Sequence, residues 1–212
     1  GASNTYTLGM ADITNNTIAL NGKTVELTKT EFTENPIQVA DVIEANGIKI
    51  GYLMYNQFIA NFDEQLNDVF GQFKSEGVTE LVLDFRYNPG GSVNSAILLS
   101  SMVTGQFTGN IFSKEIWNSK YQSYFGANDP VSLLNRFVNK IDDNTPLNML
   151  NLSKVYILTT DGSASASELV INGLDPYIDV VQIGTTTTGK YTASITLYDS
   201  PNFGRSGANP DH

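Results

Sequence analysis

The sequence predicts an α/β fold in which mainly parallel strands alternate with helices, preceded by a small β-rich segment. Apolar runs of strand length recur from residue 48 onward, and segments with the apolar spacing of amphipathic helices lie between them. This alternation favours parallel pairing in one sheet. The strand-like runs cover residues 48–55, 80–85, 154–160 and 179–183. The helical segments cover residues 61–76, 92–103 and 165–174.

The composition of the 212-residue chain limits the functions that it can have. A hydrophobic fraction of 41% allows a substantial core, and a formal net charge of −10 argues against a nucleic-acid-binding surface. The chain has no Cys and its single His is His212, so we expect no disulfide, no Ser-His-Asp triad and no His-rich zinc site. No run of about 18 apolar residues is present, so the sequence predicts no membrane span.

Two hairpins are predicted near the start of the chain. Residues 4–29 contain short strands around Asn21-Gly22, a strong hairpin-turn signal. Residues 39–45 and 48–55 flank a second such signal, Asn46-Gly47.

Cap residues define the first predicted helix, over residues 61–76. Asn61 and Glu64 have the spacing of a capping box at its start, and Gly77 stands where the helix would stop. Farther along, a β-segment is predicted near residues 111–117. The apolar spacing within residues 130–141 predicts a helix there.

The turn Asn88-Pro89-Gly90-Gly91 follows the predicted strand 80–85. Paired glycines before a helix give a tight turn with exposed backbone N–H groups, which serve either as an ordinary connection or as donors to an oxyanion. Asp84 and Arg86 precede this turn, and we expect them to pair with each other or with neighbours and to hold it.

Ser165 lies in a run of very small residues between a buried strand and a helix. Small residues let a substrate backbone approach closely, and a helix start presents free N–H groups to a developing oxyanion. The same residues also fit a helix cap without catalytic chemistry. Glu168, three residues later, is predicted to cap or orient the helix start rather than to act as a base.

Lys190 ends a Thr/Gly loop after the strand 179–183. A lysine serves as the base for a serine only in its neutral form, which an apolar pocket favours. Its neighbours Thr188, Gly189 and Tyr191 carry no charge and permit such a pocket. An exposed loop lysine without a catalytic role is the alternative.

The stretch 184–190, GTTTTGK, also matches the first seven positions of a phosphate-binding P-loop. Two features weaken this interpretation. The next residue is Tyr191 instead of a Ser or Thr that would bind Mg²⁺, and residues 191–198 alternate like a strand where a P-loop opens a helix.

With these motifs in place, the chain resembles the carboxyl-terminal processing (tail-specific) serine proteases. Three blocks carry the resemblance: LVLDFRYNPGGSVNSAILLSSMV at 81–103, VYILTTDGSASASELVINGL at 155–174 and VVQIGTTTTGK at 180–190. The segment GYLMYNQF at 51–58 agrees with the start of that family's core. The blocks occur in the family's order and at its separations.

The resemblance implies a core of the ClpP/crotonase type and peptide-bond hydrolysis by a Ser–Lys dyad. By position, Ser165 corresponds to the nucleophile and Lys190 to the general base. The backbone N–H groups of Gly91 and Ala166 correspond to the oxyanion hole. No cofactor and no metal are implied.

The chain departs from the family pattern in two places. Many members carry a Gln four residues after the lysine to orient it, whereas this chain has Ser194. The family also carries a PDZ domain, for which residues 1–47 are too few. We therefore interpret residues 1–47 as a β-rich remnant of a truncated PDZ region and its linker. Residues 48–212 are interpreted as the catalytic core, truncated at its C-terminus.

The expected function is endopeptidase cleavage of exported or unfolded polypeptides near their C-termini, in the periplasm or cell envelope. This location is implied by the resemblance alone. The alternative is a weakly active or inactive module of the same fold that binds peptides or apolar ligands. Acyl-CoA chemistry, as in crotonases, is a further alternative on fold analogy.

Overall fold

The computed structural model describes residues 4–142, 144–200 and 204–209, and His212 lies outside these ranges. The chain divides into two compact units, one that ends at Asn35 and one that begins at Pro36. The sequence predicts a division between residues 47 and 48. The division falls earlier because residues 37–45 form a strand that pairs along its length with the strand that follows. Whether residues 1–47 are a PDZ remnant stays a prediction.

The first unit contains an antiparallel hairpin. Its strands are β1 (Thr5–Thr14) and β2 (Thr17–Thr28). The turn consists of Asn15 and Asn16, whose φ angles are 48° and 60°. Asparagine adopts the left-handed conformation more readily than most residues, so two in succession can form a tight hairpin turn.

The predicted turn at Asn21-Gly22 is therefore wrong. Both residues lie inside β2, opposite a break in register between Gly9 and Ala11. Gly22 has a φ of 75°, so the glycine supplies a bulge within a strand and not the end of a hairpin.

The second unit contains, within its described residues, the remaining seven strands. They are β3 (Ile37–Ala45), β4 (Ile48–Tyr55), β5 (Glu80–Asp84), β6 (Ile111–Lys114), β7 (Leu134–Arg136), β8 (Lys154–Thr159) and β9 (Asp179–Gly184). Five of them form one sheet in the order β3-β4-β5-β8-β9. The β3–β4 pair is an antiparallel hairpin around Asn46-Gly47, as predicted, and the other three pairs are parallel. The prediction of an α/β fold with mainly parallel strands is confirmed.

Four α-helices accompany these strands in the described residues. They are α1 (Asp63–Glu76), α2 (Val93–Thr104), α3 (Ser119–Asn128) and α4 (Ala166–Leu174). None of these helices combines the length and the apolar character that a membrane crossing requires.

The first helix ends as predicted but begins differently. Gly77 has a φ of 76° and terminates α1 in the left-handed conformation, as a helix-ending glycine does. A single 3₁₀ turn, Ala60–Phe62, precedes α1, so Asn61 lies within that turn instead of capping the α-helix. The predicted capping box of Asn61 and Glu64 is wrong.

The segment between α2 and β8 contains a small second sheet. The β6 strand confirms the β-segment predicted near residues 111–117, and it pairs antiparallel with β7. The helix predicted over residues 130–141 is wrong, because Pro130–Leu133 forms one 3₁₀ turn and Leu134–Arg136 forms β7. Pairing with β6 overrides the local apolar spacing, which is a weak determinant by itself.

The core lies between one face of the large sheet and the helices α1, α2 and α4. The register places Leu83 of β5 opposite Leu53 of β4 and Ile157 of β8, so buried side chains form rows across the strands. Each large apolar side chain contributes about 1.5–3 kcal/mol when fully buried. The helix residues Phe70, Phe73, Leu99, Met102, Val170 and Leu174 are completely buried in the same cluster. This packing fixes the strand ends from which the site loops begin.

One acidic side chain is buried at the edge of this core. Asp63, the first residue of α1, is 5% exposed, and its Oδ1 has no hydrogen-bond partner among the described residues. Burial raises the pKa of the Asp63 carboxyl, and the neighbouring Ser95 hydroxyl offsets only part of this rise. The folded state therefore favours the protonated acid.

This raised pKa predicts how stability depends on pH. Below the pKa that Asp63 has in the unfolded chain, the acid is neutral in both states and its contribution to stability is fully present. This contribution is lost as pH rises through the pKa that Asp63 has in the folded protein. The free energy of unfolding of Asp63→Asn, measured by urea unfolding and taken relative to the wild type, should therefore be higher at about pH 8 than at about pH 4. The matched control is Asp68→Asn, which removes an exposed charge from the same helix. Parallel stability profiles for the wild type and Asp63→Asn would contradict the prediction.

Candidate active site

Three loops meet at the carboxyl ends of the parallel strands β5, β8 and β9. These ends lie at one edge of the sheet, which is where α/β proteins place their sites. Backbone hydrogen bonds tie the loops together. The Ala164 N–H donates to the Asn88 carbonyl (3.1 Å), and the Thr188 N–H donates to the Ser163 carbonyl (3.0 Å).

Ser165 lies in a strained turn between β8 and α4. Its φ of 57° and ψ of −109° form a conformation that costs a non-glycine residue on the order of 1–3 kcal/mol. The other non-glycine residues with positive φ in the described part of the chain are asparagines. Buried Ser163 supports the turn, because its hydroxyl donates to the Phe85 carbonyl (2.7 Å) and accepts from the Thr160 N–H (3.0 Å). Strain that the surroundings enforce is typical of functional residues.

The Gly90-Gly91 turn is pressed against the Ser165 turn. A Cβ atom on Gly90 would lie 2.7 Å from Ser165 Cβ and 2.8 Å from the Ala166 nitrogen. A Cβ atom on Gly91 would overlap the Phe58 carbonyl. The φ angles of the two glycines are 103° and 141°, which side chains rarely adopt. Glycine is required at both positions, because a Cβ atom would clash with the neighbouring backbone and would strain the positive φ angle.

Two backbone N–H groups at this contact are without a partner. Neither the Gly91 N–H nor the Ala166 N–H donates to any group in the described ranges. Ala166 is the first residue of α4, so its N–H also lies at the positive end of the helix dipole. Unpaired donors on two touching turns are suited to receive a negatively charged oxygen.

Glu168 joins the Ser165 turn to the loop after β9. Its side chain is buried, and its carboxylate accepts from the backbone N–H groups of Ser165 (2.7 Å), Gly189 (2.5 Å) and Lys190 (2.9 Å). The bond to the Ser165 N–H caps the start of α4, as the sequence predicted. The two bonds to the loop were not predicted, since nothing local relates residue 168 to residues 189 and 190.

These hydrogen bonds determine the charge of Glu168. Burial alone would raise the pKa of its carboxyl, but the Thr187 hydroxyl and the three backbone donors outweigh burial and hold the pKa below its usual value. Glu168 is therefore ionised near neutral pH. It acts as an acceptor and not as a proton donor to the site.

Lys190 has a fixed backbone and an exposed side chain. Its backbone N–H is held by Glu168, whereas its Nζ has no hydrogen-bond or ion-pair partner among residues 4–142, 144–200 and 204–209. In particular, no hydrogen bond joins Lys190 Nζ to Ser165 Oγ. The structure therefore brings the two chain segments together but leaves the amine and the hydroxyl unbonded.

Residues after Lys190 form no regular element. Residues 185–198 contain neither a helix nor a strand, although 191–198 has strand-like alternation. A P-loop needs a helix directly after its lysine, so the P-loop interpretation of residues 184–190 fails. Ser194 is exposed and makes no hydrogen bond with Lys190 in the described structure, and its orienting role stays a prediction.

Asp84 and Arg86 pair with each other, as the sequence predicted. The Arg86 guanidinium donates to both carboxylate oxygens of Asp84, with a shortest distance of 2.7 Å, and the Tyr52 hydroxyl donates to Oδ2 (2.6 Å). Asp84 is completely buried, and burial alone would raise the pKa of its carboxyl. The hydrogen bonds from Arg86 and Tyr52 outweigh burial and lower that pKa. Tyr52 was missed because no sequence signal relates it to Asp84.

The threonine run before Lys190 also has a structural role that no sequence pattern indicated. The Thr188 hydroxyl donates to the Asp161 carbonyl (2.6 Å), and the Thr159 hydroxyl donates to the Thr185 carbonyl (3.0 Å). These bonds align the loop after β9 with the loop after β8. A run of threonines carries no signal for such pairing.

Comparison with known proteins gives the site a context. The sequence model of Peptidase family S41 matches residues 49–200. A carboxyl-terminal-processing protease of Picosynechococcus is 27% identical over 168 residues, which are 79% of this chain and 35% of that protein. The carboxy-terminal processing protease CtpA of Bacillus subtilis is 27% identical over 144 residues, which are 68% of this chain and 26% of that protein. The chain thus spans between about a quarter and about a third of these relatives. These matches confirm the resemblance seen in the sequence.

Two solved structures show the same architecture. An S41 protease from Bacteroides fragilis aligns with a TM-score of 0.68 and 32% identity, over 94% of this chain and 52% of that one. The photosystem II D1 C-terminal processing protease aligns with a TM-score of 0.52 and 23% identity, over 79% of this chain and 41% of that one. The second likeness concerns the fold alone.

The Glu168 contacts predict a specific mutational effect. Glu168→Gln replaces one acceptor oxygen with an NH₂ group that faces backbone donors, so we expect faster amide exchange at Gly189 and Lys190. A loss of stability on the order of 1–3 kcal/mol should accompany it, as for a buried donor left unpaired. Amide hydrogen exchange and urea unfolding measure the two effects.

The pH dependence supplies a second measurement of the same bonds. Because the folded-state pKa of Glu168 is lowered, its contribution to stability is present above the ordinary glutamate pKa and is lost as pH falls through the folded value. Glu168→Gln should lose this dependence, whereas Glu64→Gln on the exposed surface of α1 should keep it. Unchanged exchange at Gly189 and Lys190 in Glu168→Gln would show that the carboxylate does not hold the loop.

Proposed function

The chain belongs to peptidase family S41, and on this premise we propose that it forms the catalytic part of a serine endopeptidase. Ser165 is the nucleophile and Lys190 is the general base. The N–H groups of Gly91 and Ala166 form the oxyanion hole. The mainly parallel sheet with helices supports a core of the ClpP/crotonase type. Neither a metal nor a cofactor takes part.

One observation carries this proposal. The strained Ser165 turn, the two unpaired N–H groups and the backbone of Lys190 lie together, and the Glu168 carboxylate bonds both Ser165 and Lys190. An ordinary helix cap needs neither a strained serine nor free donors on a second turn. The arrangement fits nucleophilic acyl transfer, in which a hydroxyl, a base and an oxyanion site converge.

The reaction proceeds in two stages. Neutral Lys190 Nζ takes the proton of Ser165 Oγ while Oγ attacks the carbonyl carbon of the scissile peptide bond. The negative oxygen is received by the Gly91 and Ala166 N–H groups. The resulting ammonium returns the proton to the departing amine nitrogen, which leaves an acyl ester on Ser165. Lys190 then takes a proton from water, whose oxygen attacks the ester, and the acid product departs as Ser165 regains its proton.

Because the Lys190 side chain is exposed, it must reach Ser165 Oγ and lose its water when a substrate binds. Its four-carbon side chain starts from a backbone that Glu168 holds beside the Ser165 turn, so rotation of the side chain can bring Nζ to Oγ. A polypeptide bound across this edge of the sheet removes water from the amine and favours its neutral form. Loose catalytic hydrogen bonds that tighten on substrate binding are common in free enzymes.

The substrates that we propose are exported or unfolded polypeptides, cut near their C-termini outside the cytoplasm. The names of the relatives support cleavage near the C-terminus, since proteases of Picosynechococcus and Bacillus subtilis are named for carboxyl-terminal processing.

Removing either member of the dyad is expected to abolish cleavage. Ser165→Ala and Lys190→Ala should each lower kcat/KM for an unstructured protein substrate by roughly 1000-fold or more, and Ser165→Ala should also lose labelling by a fluorophosphonate probe. Ser119→Ala and Lys120→Ala change the same residue types at exposed positions on α3 and should leave both readouts unchanged. Cleavage that survives in Ser165→Ala would refute the assignment of the nucleophile. A wild type that neither cleaves nor reacts would refute the protease function and favour a binding module.

The base requires a characteristic pH profile. Since only the neutral amine accepts the serine proton, kcat/KM should rise with pH between about 6 and about 9. Lys190→Arg should remain inactive over this range, because a guanidinium stays protonated. A flat wild-type profile would rule out a lysine base.

A further inference from the structure

Asn88 is completely buried between the loops of the active site. It lies in the turn after β5, two residues before Gly90, and its position was noted in the sequence only as part of that turn. The proposed reaction assigns no role to its side-chain amide.

The side chain of Asn88 links β4 to the glycine turn. Its Nδ2 donates to the Tyr55 carbonyl at the end of β4 (2.7 Å), and its Oδ1 accepts from the Gly90 N–H (2.9 Å). These two partners fix the orientation of the amide, because a flipped amide would place oxygen against a carbonyl and NH₂ against an N–H. Only a side chain with a donor and an acceptor of this geometry satisfies both.

The backbone of Asn88 links the same turn to the nucleophile. Its carbonyl accepts from the Ala164 N–H (3.1 Å) and from the Ser167 hydroxyl (2.9 Å), which lie on either side of the Ser165-Ala166 step. One buried residue therefore connects the end of β4, the glycine turn and both flanks of the strained serine. A Cβ on Gly90 would already be 2.7 Å from Ser165 Cβ, so a small displacement of this turn moves it against the nucleophile.

We propose that Asn88 is a positioning residue that sets the separation of the Gly91 N–H and the Ala166 N–H, and so the geometry of the oxyanion hole. The inference rests on the proposed function for its catalytic meaning. The geometric part holds for the folded protein itself. Asn88 does not touch the reacting atoms and acts through Gly90 and Ala164.

The variant Asn88→Asp tests this role with almost no change in volume. An ionised carboxylate can accept from the Gly90 N–H but repels the Tyr55 carbonyl. A protonated carboxyl can donate to that carbonyl and still accept from Gly90, so it restores both bonds. Amide exchange at Gly90, corrected for its intrinsic rate, should be faster than in the wild type at about pH 8 and should return toward it at about pH 5. This pH-dependent recovery would show that the two side-chain hydrogen bonds hold Gly90 in place, and the kinetic measurement separates a positioning role from support of the fold alone.

Kinetics in the full chain supply the second measurement. At about pH 8 we expect Asn88→Asp and Asn88→Ala to lower kcat by about 100-fold with KM within about twofold, because the misplaced donors weaken transition-state binding. The pH at which kcat/KM rises should stay that of the wild type, since the base is untouched. The matched control Asn94→Asp makes the same change at an exposed position in the first turn of α2 and should alter neither kcat nor the exchange of Gly90.

Three outcomes decide the matter. Wild-type kcat and Gly90 protection in Asn88→Asp at about pH 8 would overturn the proposal. A lowered Tm with unchanged kcat per folded molecule would overturn it also, since Asn88 would then support the fold alone. If the wild type itself neither cleaves nor reacts with the fluorophosphonate, the protease function fails, and the Gly90 exchange still decides whether Asn88 sets the turn.

Discussion

The carboxylate of Glu168 holds together two loops that begin 20 or more residues apart in the chain. It accepts from the backbone of Ser165 on one side and from Gly189 and Lys190 on the other. A buried carboxylate is tolerated only when hydrogen bonds replace its water, so the charge of Glu168 and the folded form of both loops depend on each other. Ser165 and Lys190, the proposed nucleophile and base, consequently start from backbone positions that one side chain fixes.

The sheet makes this connection possible. Three parallel strands, β5, β8 and β9, end at one edge. The buried row of Leu53, Leu83 and Ile157 aligns β4, β5 and β8, and β9 pairs in parallel with β8. The loops approach each other more closely than residues with a Cβ atom allow. Gly90 touches the Ser165 turn through the space that a Cβ would fill, and Asn88 satisfies the polar groups that this contact buries.

The pKa values of the buried acids of the second unit are shifted in opposite directions because their partners differ. Several donors lower the pKa of Asp84 and of Glu168, whereas burial raises the pKa of Asp63. Lys190 differs from these acids, because its backbone N–H is held by Glu168 while its side chain is exposed to solvent. In the proposed reaction, the final alignment and desolvation of the Lys190 amine therefore fall to substrate binding.

The sequence by itself determined the features that depend on local chemistry. Alternating apolar patterns predicted the α/β order and Gly77 predicted the end of α1. The pairing of Ser165 with Lys190 came from the resemblance to a protease family and stays a prediction. Tertiary structure decided what depends on distant partners. Residues 130–141 have the apolar spacing of a helix, but Leu134–Arg136 within them forms a strand, because pairing with β6 outweighs the weak local preference. The contacts of Glu168 with Lys190 could not be predicted, since hydrogen bonds between loops leave no periodicity in the sequence.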